Sequence, residues 1–74
     1  MRNNFWESEE IIESFDKEDI NEKIVVKKCV KKNKKYIDIR NHYIKNNITR
    51  HGKGIALPEH LARQIAFSIL KNVD

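Results

Sequence analysis

At 74 residues the chain is long enough for one small domain with a thin core, and such domains are usually steadied by staples or by oligomerisation. Its single cysteine, Cys29, excludes an internal disulfide, so a partner subunit is the expected staple and a reducing, intracellular setting the expected location. The formal net charge of +4 conceals an asymmetry. Residues 1–22 set eight carboxylates against Arg2 and Lys17 (−6), whereas residues 23–74 set thirteen Lys/Arg against Asp38, Glu59 and Asp74 (+10). An acidic arm over 1–22 followed by a basic domain over 23–74 is the expected organisation, and the basic part would attract polyanions, nucleic acid first among them. No apolar run approaches the roughly 18 residues of a membrane span. MRNNFWESEE lacks the apolar centre of a secretory signal.

In chain order, the acidic arm carries Phe5, Trp6, Ile11, Ile12 and Phe15. Ile11, Ile12 and Phe15 share one helical face, so SEEIIESF reads either as a short helix docking its aromatics or as a mobile arm. KIVVKKCVK (23–31) is β-branched and lysine-mixed, and reads as a strand. KKNKK supplies a polar turn around Asn33, residues 35–44 form a second strand, and KNN (45–47) a second turn. Residues 48–51 read as a short third strand. Gly52 and Gly54, the chain's two glycines, bracket Lys53 before a further short strand at IAL. Pro58 suits a first helical position and Glu59 the first turn. Leu61, Ala62, Ile65, Ala66, Ile69, Leu70 and Val73 then recur at helical spacing as a broad apolar stripe. Phe67 falls off its centre and serves either a second interface or the core edge. The expected class is α+β: four antiparallel strands and one C-terminal helix covering one face of the sheet.

Alternation in YIDIRNHY places Ile37 and Ile39 on one face and Tyr36, Asp38, Arg40 and His42 on the other. The isoleucines can meet the helix. Planar and cationic groups on the open face suit sequence-tolerant binding of single strands, because every base has a π-face. Arg40 either binds phosphate or stacks on a base, or else pairs with Asp38.

IDIRNHYI, a short turn, GKGIAL and an amphipathic helix, taken in that order, resemble the single-stranded-DNA-binding domain of the transcriptional coactivator positive cofactor four. The likeness covers about residues 23–72. It implies a curved four-stranded antiparallel sheet and a homodimer formed largely through the helices, here through Leu61, Ile65, Phe67 and Ile69. It implies that Arg40, Tyr43 and Lys53 line the DNA path, with Lys27, Lys32, Lys34 and Lys35 of the first hairpin contributing. Tyr36, His42 and Arg50 complete the expected nucleic-acid surface. Tyr43 stands where the family usually has a tryptophan. The first hairpin, CVKKNKK, lacks the family's aromatic, for which Tyr36 or Trp6 is the candidate replacement. Arg40 and Tyr43 differ by three, so a flat strand separates them; a bulge near Asn41–His42 is expected to bring them together.

Other chemistries fit poorly. Cys29, His42, His51 and His60 lack the paired spacing of zinc ligands, and HGKG lacks the first glycine and the Ser/Thr of a P-loop. Histidine acid–base catalysis in a ribonuclease has no evident carboxylate orienter. The expected protein has no catalytic residues, metal or cofactor. It binds single-stranded DNA at melted sites in transcription, replication or repair, in the nucleus if eukaryotic and in the cytoplasm or nucleoid if bacterial or viral. RNA binding is one alternative. The other is a protein-interaction module that offers its acidic, aromatic arm to the transcription machinery.

Overall fold

The computed structural model describes residues 5–74. The strands β1 (Ser8–Asp16), β2 (Glu22–Lys31), β3 (Lys34–Lys45) and β4 (Ile48–Pro58) form one antiparallel sheet in chain order, followed by α1 (Glu59–Asn72). The two tight hairpins follow from their turn residues. Lys32 and Asn33 join β2 to β3 with φ of 53° and 64°, and Asn46 and Asn47 join β3 to β4 with φ of 55° and 63°. Positive φ at both central positions is the two-residue turn whose twist matches the strands, and among residues with a side chain asparagine tolerates it well. Between β1 and β2, the Asn21 N–H donates to Asp19 Oδ1 at 2.9 Å and helps close the longer loop.

Three expectations need correction. SEEIIESF is strand β1, not a helix. A helix that short gains too little from its own hydrogen bonds, whereas the open edge of β2 supplies a full ladder of partners. Cross-strand charge pairs reinforce the choice: Glu9 meets Lys27 at 3.0 Å and Asp16 meets Lys23 at 3.9 Å. The acidic segment, as far as it is described, is therefore built into the sheet. Secondly, 48–51 and 55–57 are one strand. β4 runs through both glycines, since β3 is long enough to pair with all of it. Thirdly, the irregularity lies on β4 rather than β3. β3 keeps register with β2 from Glu22↔Tyr43 to Lys31↔Lys34. On its other side the partners step from Arg40↔Gly54 to His42↔His51, which leaves one extra residue on β4.

Register and alternation define two faces. Ile37 and Ile39 of β3, with Val26 and Leu57, face α1. The helix rests on β3 and β4 only, and none of its residues is buried. On the opposite face, Glu9, Val25, Lys27, Cys29, Tyr36, Asp38, Arg40 and His42 lie together. The molecule measures 39 × 36 × 16 Å, little more than a sheet with one helix on it. Its buried apolar residues are Val25, Cys29 and Leu57, so the thin core anticipated from length is found.

Candidate nucleic-acid interface

Asp38 is 4% exposed and sits mid-strand on the face away from the helix. A carboxylate there needs a partner. Arg40, two residues along on the same face, supplies a fork: Nη2 donates to Oδ1 at 3.0 Å and Nε to Oδ2 at 3.3 Å. Arg40 Nη1 also donates to the Gly52 carbonyl at 3.1 Å, tying β3 to β4. The ion-pair reading of Arg40 thus holds, and its guanidinium is half-buried over the sheet.

Gly52 is the joint between the two faces. Arg40 holds its carbonyl from one side. On the other, a Cβ built on Gly52 would lie 3.2 Å from Tyr43 Cε1 and 3.1 Å from the Asn41 carbonyl oxygen. Glycine therefore lets the Tyr43 ring lie across β4. Gly54 is tighter still, since a Cβ there would come 2.4 Å from the Ile39 carbonyl oxygen and 2.7 Å from Arg40 Cα. Neither glycine has positive φ, so both answer to space and not to conformation. The extra residue of β4 falls between them and leaves Lys53 exposed at the sheet's edge. Because β3 itself stays regular, Arg40 and Tyr43 lie on opposite faces, and the bulge expected to unite them does not do so.

On the open face, the rings of His42 and His51 stack with centroids 4.3 Å apart and planes 24° apart. Burial, then the neighbouring His51, Lys27 and Arg40, push the His42 pKa below its usual value, against a smaller opposing pull from Asp38. His42 Nε2 is buried without a hydrogen-bond partner among the described residues. Burial, then Asp38 and Glu9, push the Cys29 thiol up, so it stays protonated. At the far end of the same face Trp6 packs against Tyr36, with centroids 5.2 Å apart. Between these aromatic ends lies a shallow depression of about 610 Å³ lined by Glu9, Lys27, Asp38 and Arg40.

The remaining predicted residues separate by place. Lys32 and Lys34 stand exposed at the β2–β3 hairpin tip, and Lys35 beside them pairs with Val30. Lys27 is different: its side chain is 12% exposed and bound to Glu9. Arg50 is exposed and opposite Tyr43 on the helix side. Leu61, Ile65, Phe67 and Ile69 are all exposed along α1. Phe67 does not cap the core edge, being 64% exposed with the Lys71 ammonium 5.6 Å from its ring centre. The His42–His51 stack is not legible in the sequence, because Gly52 and Gly54 after His51 read as the end of a short separate strand, whereas β4 continues and sets His51 opposite His42. Among the described residues, no group of three or more metal-capable side chains gathers, and no helix is long and apolar enough to cross a membrane.

Residues 19–66 match the family model of the transcriptional coactivator p15 (PC4). The chain belongs to that family. The match spans β2, β3, β4 and the first half of α1, and it leaves β1 and the Trp6 segment outside. No curated protein and no solved structure shows a significant match to the chain. The p15 (PC4) family is one of DNA-binding coactivators and not of enzymes, and the four-stranded antiparallel sheet with a C-terminal helix agrees with the resemblance drawn from IDIR and GKGIAL.

Proposed function

We propose that this protein is a homodimeric, sequence-tolerant single-stranded-DNA-binding module that serves transcription, or replication and repair, at melted DNA. The observation that carries the reading is the open sheet face, on which the planar side chains of Trp6, His42 and His51 flank the paired charges Lys27–Glu9 and Arg40–Asp38, in a chain of a DNA-binding family. Such a face is wide and accessible. It suits stacking on unpaired bases better than reading the edges of paired ones. Lys32, Lys34, Lys35, Arg50 and Lys53 neutralise phosphates. Tyr36 and His42 offer planar surfaces to bases, and Tyr43 does so from the other side of Gly52. Arg40 contributes a fixed guanidinium, and Lys27 acts when Glu9 releases it. In a eukaryote this work is nuclear.

Dimerisation is supported by the apolar helix surface. Ile69 is 55% exposed and Phe67 64%, and beside them a trough of about 400 Å³ is lined by Ile12, Ile37, Ile39, Leu57, Ile65 and Ile69. A monomer of this size rarely leaves such a surface uncovered. Light scattering should return twice the monomer mass, and Ile69→Glu should return the monomer.

One titration tests the function. Equal-length single-stranded DNA, duplex DNA and RNA are compared by anisotropy at two salt concentrations. Preferential binding of the DNA single strand with a steep loss of affinity in salt is the expected result. Equal or tighter RNA binding would transfer the function to RNA. Absence of binding to all three would favour the protein-interaction reading of the acidic, aromatic N-terminal segment.

A further inference from the structure

We propose that Trp6, seated on Tyr36, is a base-stacking platform for unpaired nucleobases, supplied by the segment that lies outside the family match. The inference rests on the single-strand-binding reading above and adds a residue to that site.

Trp6 is the chain's only tryptophan. It does not serve the helix side of the sheet. It lines the depression on the open face together with Lys27, Asp38, Arg40 and His42. The strand that follows it fixes its position, starting with the Glu7 N–H, which donates to the Val30 carbonyl at 2.8 Å. Two aromatic neighbours hold the indole without sandwiching it. Phe5 meets it edge to face at 4.9 Å and 89°, and Tyr36 is tilted by 43°. Neither ring is stacked parallel on it, and the indole is only half-buried. The Lys31 ammonium lies 3.3 Å from the Phe5 ring centre, so a cation is pinned to the same cluster.

The floor beside Trp6 is charge-compensated. Lys27 is bound by Glu9 and Arg40 by Asp38, both at 3.0 Å. A floor whose cations are already paired is a poor seat for phosphate and a good one for uncharged bases. Exposed lysines stand at the rim, on the hairpin tip at Lys32 and Lys34. The arrangement therefore directs bases inward, onto Trp6 at one end and the His42–His51 stack at the other, and the sugar-phosphate backbone outward.

The sole tryptophan is also the reporter. Titrating the full chain with an oligothymidine should quench indole emission to saturation, and an abasic strand of equal length should leave it unquenched. Trp6→Ala should weaken binding at least about fivefold, the low end for one stacked base, with the slope of log affinity against log salt unchanged. Trp6→Phe should recover most of the loss. Circular dichroism establishes that each variant is folded. Binding without quenching, together with wild-type affinity in Trp6→Ala, would overturn the platform while leaving the single-strand function standing. Absence of any binding by the wild type would overturn both. A reduced salt slope in Trp6→Ala would also overturn it, because the residue would then act by placing lysines.

Discussion

Replacing Arg40 with alanine should destabilise the fold before it says anything about DNA. Asp38 has a side chain only 5% exposed, and both of its oxygens are held by the Arg40 fork. Truncating one partner of a buried pair leaves the other charge stranded, at a cost of about 3–5 kcal/mol. Arg40 is itself 30% exposed, and solvent can reach the vacated site, so about 3 kcal/mol is expected. A domain of this size has a total stability of about 4–11 kcal/mol, so the loss is a large fraction of it. In a thermal melt followed by circular dichroism at fixed protein concentration, the midpoint should fall by about 12–24 °C. The reciprocal control is the double replacement Asp38→Leu with Arg40→Met, which removes both charges and should restore most of the stability. An Arg40→Ala variant melting within about 3 °C of wild type would refute the argument, since a shift that small corresponds to less than 1 kcal/mol. The guanidinium would then be free to serve phosphate alone. For binding, Arg40→Lys is the better probe: it keeps the charge and removes the fork.

The two glycines of β4 should respond unequally. Gly54→Ala runs into the β3 backbone and should cost at least about 2–3 kcal/mol, whereas Gly52→Ala makes milder contacts, with the Asn41 carbonyl oxygen and the movable Tyr43 ring, and should cost about 1–2, both read from urea midpoints. His42 has a folded pKa below its unfolded value of about 6.5, so the unfolded chain takes up its proton first. Its contribution is present above pH 6.5 and lost as pH falls through the lower folded value. His42→Gln should flatten that part of the stability–pH curve, and an unchanged curve would refute the assignment. Cys29 is 1% exposed with its thiol held protonated, so a thiol reagent should label it only at the rate of unfolding. Converting Glu9, Glu10, Glu13 and Asp16 to their amides should tighten single-strand binding at low salt by freeing Lys27 and Lys23, and the gain should vanish at high salt.

The parts legible in the sequence were those written in local chemistry. Asn33 and Asn46–Asn47 mark turns because few residues accept positive φ. The alternation in YIDIRNHY gives the faces of β3, and the stripe after Pro58 gives α1. What was hidden depends on partners distant in the chain. SEEIIESF carries a helical spacing that pairing with β2 overrides. Gly52 and Gly54 look like a break, yet they are where a neighbouring strand comes close. The position of the extra residue could not be read from IDIRNHY at all, because it belongs to β4. The site was half legible: Arg40 and His42 share a face as alternation requires, but whether Arg40 meets Asp38 is decided by burial, on which a charged pair at spacing two is silent.

A sheet open at both sides exposes two unpaired backbone edges, and each can recruit another chain. Here each edge carries its own deterrent. β1 presents Glu9, Glu10, Glu13 and Asp16, so two such edges repel one another. β4 is interrupted by its extra residue beside Lys53 and ends in Pro58, which has no N–H to offer. The consequence concerns solubility: copies of this protein are discouraged from zipping into a continuous ribbon, even though nearly every strand has an apolar side. Neutralising the β1 carboxylates, by substitution or by acid, should reveal that restraint as filament growth.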